Sequence, residues 1–135
     1  MPEQLQLLAE VDILEGVPQC ELKSVAARSQ VVSLAKRESL ALGEDPRVIL
    51  LLVSGRVRVH EPGSLGPDLT FSVVDGGTVV GQTGSAPRPS LALRVEALEP
   101  SALRVLGWED FEELVLRRPK VGVKTIRLLG ERLAA

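Results

Sequence analysis

Cysteine, histidine and long apolar runs are nearly missing from this chain, and each shortage removes a class of function. Cys20 is the single cysteine, so no disulfide can close within the chain, and an iron–sulfur cluster, which takes several thiolates, has no ligand set. His60 is the single histidine. Metal-dependent enzymes of the cupin type hold their ion with at least two histidines and a carboxylate, so that set cannot be assembled and no metal is expected. A serine or cysteine triad would have to recruit His60, and neither Ser54 in VSGRV nor Ser64 in PGSLG sits in a nucleophile elbow. The longest apolar run, Val48 to Val53, is far short of the roughly 20 residues a membrane-spanning helix needs. The opening MPEQLQLLAEVD is acidic and amphipathic, without the basic stretch and apolar core of a signal peptide, so a cytoplasmic, membrane-free protein is expected. A surplus of positive charge is also lacking. Sixteen basic against 18 acidic residues leave a net charge of -2, which argues against a surface devoted to nucleic-acid backbone.

What is present fits one domain. With 135 residues, 44% of them hydrophobic and 25% charged, the chain has apolar material for a single core. PEQLQLLAEVDIL sets Leu5, Leu8, Val11 and Leu14 on one helical face, and VPQCELKSVAARSQ, with Pro18 in a first-turn position, stripes Leu22, Val25 and Ala26. From Val31 to Gly107 the pattern changes to short Val, Leu and Ile runs broken by Gly, Pro, Asp and Ser, the mark of an antiparallel barrel or sandwich. Strands are expected near QVVSLA, ESLAL, RVILLLVS, RVRVHE, LTFSVV, TVVG, LALRVEAL and ALRVLG, joined by turns at GEDP, SG, EPGSLGPD and DGG. The glycine cluster DGGTVVG precedes a strand instead of following one, which removes a dinucleotide fingerprint. Helical pattern returns in WEDFEELVLRR and, after Pro119, in VGVKTIRLLGERL, whose Val123, Ile126, Leu129 and Leu133 share a face.

In order and spacing these pieces resemble the cyclic-nucleotide-binding domain of the catabolite activator (Crp/Fnr-type) regulators. LLAEVDILEGV is similar to that family's opening helix, ILLLVSGRVRV to its most recognisable hairpin, and VEALEPSALRVLGWEDFEELVLRRP to the strands and helix before its long dimer helix. The resemblance implies a mainly β fold with flanking α, a double-stranded β-helix (jelly-roll-like) barrel of about eight strands. Helices would occupy about 2–30, the barrel about 31–107 and C-terminal helices about 108–135, all in one domain.

VVGQTGSAPRPSLALRV falls where the family keeps its phosphate-binding cassette, usually Phe-Gly-Glu, a small loop, then Arg-x-Ala. There the glycine admits backbone N–H groups to the phosphate, the glutamate accepts from the ribose hydroxyl and the arginine pairs with the phosphate charge. Here Gly81 matches the glycine, Val80 replaces the aromatic and Gln82 stands in place of the acid, still an acceptor but a neutral one. Leu91 falls at the arginine and Leu93 at the small residue, and a leucine cannot pair with phosphate. Arg88, in APRP, is the replacement cation if the loop is rearranged, with Thr83, Ser85 and Ser90 as further donors; the alternative leaves Arg88 in solvent and Leu91 and Leu93 filling the barrel.

The resemblance therefore implies a regulatory ligand sensor that binds cAMP or cGMP weakly, or another small anionic effector, as part of a transcription regulator. The other reading is a degenerate module kept for dimerisation or protein docking; an enzyme is not expected. A homodimer through the C-terminal helix is expected in both. The sequence ends at LLGERLAA, before the family's lid and helix-turn-helix, so no direct nucleic-acid binding is assigned to it. His60 is expected to face solvent, Trp108 to anchor packing at the barrel rim, and Arg117, Arg118, Lys120, Lys124, Arg127 and Arg132 to form the solvated side of a helix.

Overall fold

The computed structural model describes residues 3–41, 47–61, 69–82 and 94–134. Leu5 and Leu8 give the first helix, α1 (Glu3–Ala9), its buried face. The helix stops short of the expected Leu14 because Asp12 starts a separate 3-10 turn, Asp12–Leu14. Its carboxylate accepts from the Ile13 amide at 2.7 Å while its own amide donates to the Gly77 carbonyl at 2.8 Å. Val11, Ile13 and Leu14 are still buried. Pro18, which lacks an amide hydrogen, precedes α2 (Gln19–Arg28), and Leu22 and Val25 bury its apolar stripe.

Eight strands follow: β1 (Gln30–Leu34), β2 (Ser39–Ala41), β3 (Val48–Ser54), β4 (Arg56–Glu61), β5 (Leu69–Asp75), β6 (Thr78–Gln82), β7 (Arg94–Ala97) and β8 (Ser101–Gly107). They form two four-stranded antiparallel sheets, ordered β1-β8-β3-β6 and β2-β7-β4-β5. The fold is mainly β with flanking helices, a jelly roll in which the chain passes repeatedly from one sheet to the other. Among the described strands no ladder joins the sheets, so the roll is an open pair of sheets and not a hydrogen-bonded barrel.

The first sheet is covered on both faces, and this explains why β3 is apolar at consecutive positions where a half-exposed strand would alternate. Ile49 and Leu51 point to the helices, with Val79, Leu106 and Phe111; Leu50 and Leu52 point between the sheets, with Val57, Val74, Val95 and Leu103. A one-residue slip of β3 would exchange these two sets without exposing either, so its register is set by its neighbours and turns. The chain changes sheet four times at one end, between Leu34 and Ser39, at Gly55, at Gly76–Gly77 and before Ser101. Bonds from the Arg37 amide to the Ala97 carbonyl, from the Gly76 amide to the Gly55 carbonyl, from Leu98 to Arg56 and from Arg56 to the Ser101 hydroxyl tie those crossings together.

After β8, α3 (Trp108–Arg117) and α4 (Pro119–Ala134) lie against the helix-covered face. Gly122 on α4 faces Val115 on α3 so closely that a Cβ there would stand 2.8 Å from a valine methyl. Trp108 packs against this core with its ring 5.4 Å from that of Phe111, in keeping with its expected anchoring role. Arg104, interior to β8, donates to the Ala26 carbonyl and the Ser29 hydroxyl, both at 3.1 Å, and so caps the end of α2. Burial pushes its guanidinium below the ordinary arginine range.

Candidate functional site

Only the first part of the expected cassette is among the described residues. Gly81 and Gln82 close β6, opposite Leu50 and Ile49 of β3, and β6 is an edge strand. Thr83, Ser85, Arg88, Ser90, Leu91 and Leu93 lie outside the described residues. The structure therefore brings Gly81 and Gln82 side by side at the end of the roll opposite the sheet crossings. At Gly81 a Cβ would meet no atom within 4 Å, so the backbone there is open to an approaching group.

The β6 backbone is irregular just before this point. Leu50 pairs with Gly81 but Leu51 pairs with Val79, so Val80 is an extra residue, a bulge. A bulge disrupts the local ladder and leaves backbone groups in need of partners. Arg132, near the end of α4, supplies them: its guanidinium donates to the Val80 carbonyl at 3.2 Å, to the Val79 carbonyl and to the Thr78 hydroxyl at 3.3 Å. Thr78 in turn donates to the Asp12 carboxylate at 2.7 Å. Desolvation lowers the Arg132 guanidinium from its ordinary range, and the Asp12 charge partly offsets that. The C-terminal helix is thus fastened to the strand that leads into the candidate cassette.

Two sequence expectations are corrected by this geometry. Arg132 is not part of a solvated basic face, because it spans from α4 to the β6 bulge. His60 does not face solvent; it is only 5% exposed. The alternation of β4 that would have turned it outward is broken by a register shift between Val59 and His60 against β5, which leaves both consecutive residues buried. Arg104 and Arg132 were the polar residues that sequence reasoning missed, since neither a helix terminus far away in sequence nor a bulge is visible in local spacing.

Replacing Arg132 by methionine keeps much of the stem but removes the donors. The expected cost is about 1–3 kcal/mol, read by urea denaturation, from leaving buried carbonyls without partners. Hydrogen exchange at the Gly81 and Gln82 amides should quicken with it; protection unchanged at those amides would show that α4 does not hold the strand.

No family model matches the chain, and a search of curated protein sequences finds none. Solved structures match over most of it. The sensor domain of the transcriptional regulator DNR from Pseudomonas aeruginosa superposes with a TM-score of 0.72 at 19% identity, covering 95% of this chain and 87% of that one. The Thermus thermophilus catabolite activator protein gives 0.65 at 21% identity, covering 90% and 58%. This is the fold of the cyclic-nucleotide-binding domain. A cAMP-binding acyltransferase from Mycobacterium smegmatis carries a similar cyclic-nucleotide-binding fold, with a TM-score of 0.74 at 23% identity, covering 97% of this chain and 41% of that one. The chain thus spans about two fifths to three fifths of the length of these last two proteins. At such identities the likeness establishes the cyclic-nucleotide-binding fold, whereas the ligand has to be argued from this chain's own side chains.

Proposed function

We propose that these 135 residues act as one regulatory ligand-sensing domain, binding a small anionic effector where β6 runs into residues 83–93 and passing its occupancy to α4. The observation that carries this reading is the Arg132 fastening, because a ligand that draws on the backbone at Gly81 would act on the strand that α4 holds at Val79 and Val80. The structural neighbours favour the same class: a sensor domain, a catabolite activator and a cAMP-binding protein. Cyclic AMP or cyclic GMP is the first effector to test, bound weakly because Gln82 is neutral and Leu91 cannot pair with phosphate. A catalytic role is not proposed. No helix among the described residues is long and apolar enough to cross a membrane. A thermal-shift panel of cyclic mononucleotides, cyclic dinucleotides, nucleoside triphosphates and simple anions tests the reading, since a ligand that binds the folded state alone must raise the melting temperature. Silence across the panel favours the second reading, a docking or dimerisation module.

The α4 surface supports that second reading. Val123 and Ile126 stand 48% and 72% exposed, one helical turn apart, with nothing within 4 Å of a Cβ at Gly130 one turn further on. We expect a two-fold dimer through this stripe at high protein concentration, as a self-complementary face allows. Val123→Asp should return it to the monomer mass in light scattering. A wild-type mass that is monomeric throughout counts against the dimer.

A further inference from the structure

A cleft of about 470 Å³ opens between the helix-covered face of the first sheet and the α3–α4 pair. Its walls are apolar, with Ile49, Val79 and Gly81 below, Trp108 and Val115 on one side, and Ile126 and Leu129 on the other. An open apolar cleft usually closes by letting its walls move together, and here the walls are pinned. Gly122 against Val115 fixes α4 to α3 at one end, and Arg132 fixes it to β6 at the other, so the stretch of α4 between them spans a gap it cannot fill. The Thr125 hydroxyl in the wall is turned back on its own helix, donating to the Val121 carbonyl at 2.8 Å. Among the described residues lining the cleft, Glu112 alone is ionisable.

We propose that this cleft binds an apolar small molecule that is neutral or carries a single positive charge, at a site that adjoins the anionic effector's at Gly81 and extends from there under α3 and α4. The volume lies within the roughly 300–1,000 Å³ of small-molecule sites. Desolvation and the Glu112 carboxylate disfavour an anion there, so a cyclic nucleotide does not fit its chemistry. A cationic head at Glu112 with an apolar body over Trp108 does. Occupancy would press on the same α4 segment that Arg132 ties to β6, which places the two sites on one helix.

The neutral fluorophore N-phenyl-1-naphthylamine tests this directly, because Trp108 is the only tryptophan and lies in the wall. One probe per chain should bind and quench Trp108 emission. Below micelle-forming concentrations, dodecyltrimethylammonium should displace it about threefold to tenfold better than dodecyl sulfate, and Glu112→Gln should erase that preference while leaving probe affinity within about twofold. Leu116 stands 81% exposed at the rim, so Leu116→Glu should fold normally and weaken probe binding about tenfold. Val123→Asp, outside the cleft, should leave it unchanged. An unquenched Trp108, or probe binding indifferent to Leu116→Glu, overturns the site. Equal displacement by the two detergents overturns the charge assignment. Loss of probe binding in Val123→Asp shows a second copy of the chain to be the occupant or the missing wall, and overturns the small-molecule reading.

Discussion

Gly55→Ala is expected to destabilise the chain by about 3 kcal/mol or more, which for a domain of this length lowers Tm by about 10 °C. Two costs add at this position. Gly55 has φ +102°, where an L side chain is strained, and a Cβ there would lie 2.2 Å from the Ser101 hydroxyl oxygen and 2.6 Å from the Ser101 Cα. The serine cannot simply swing away. Its hydroxyl donates to the Glu99 carbonyl at 2.7 Å and accepts from the Arg56 amide at 3.2 Å, and its backbone starts β8 opposite Leu34 of β1. Relief therefore means separating two of the four sheet crossings at this end. Gly130→Ala is the internal control: a Cβ there meets nothing within 4 Å, and in the interior of α4 alanine should stabilise by up to about 1 kcal/mol. Calorimetry that finds both substitutions equally harmless contradicts the packing of Gly55 on Ser101.

This corner was legible in the sequence only as a turn. VSGRV marks where β3 ends, yet nothing in it says that the chain leaves one sheet for the other. The elements themselves could be read because their periodicity is local: alternation or apolar runs for strands, three-to-four spacing for α2, α3 and α4. What periodicity could not supply was anything set by distant partners. The early stop of α1 depends on Gly77, the burial of His60 on a shift against β5, and the roles of Arg104 and Arg132 on carbonyls 78 and 52 residues away. The strand that leads into the candidate site was legible in TVVG, although β6 runs on through Gln82 where a glycine-led turn was expected, while its fastening to α4 was not, because a bulge adds one residue without changing composition.

The double substitution Gln82→Glu and Leu91→Arg is expected to raise affinity for cyclic AMP or cyclic GMP by one to a few decades, each restored charge-assisted contact contributing about 1.5–3 kcal/mol. The glutamate would accept from the ribose hydroxyl at the end of β6, and the arginine would answer the phosphate charge. On the reading that sets residue 91 against the phosphate inside the roll, the new guanidinium without ligand is an unpaired cation, so the double variant should melt lower than wild type and recover on adding nucleotide. That crossing of stabilities separates a restored site from a merely stickier protein, which would gain affinity without the apo-state loss.

Calorimetric titration of wild type, the double variant and Arg88→Ala with cyclic AMP tests the central claim, that this fold carries a weakened anion-sensing site at the end of β6. The account predicts weak wild-type binding that tightens in the double variant. Tight wild-type binding that collapses in Arg88→Ala would instead assign the phosphate to Arg88 and make the placement of Leu91 wrong. Absence of binding by wild type and double variant alike would contradict cyclic-nucleotide sensing and leave the docking module as the function.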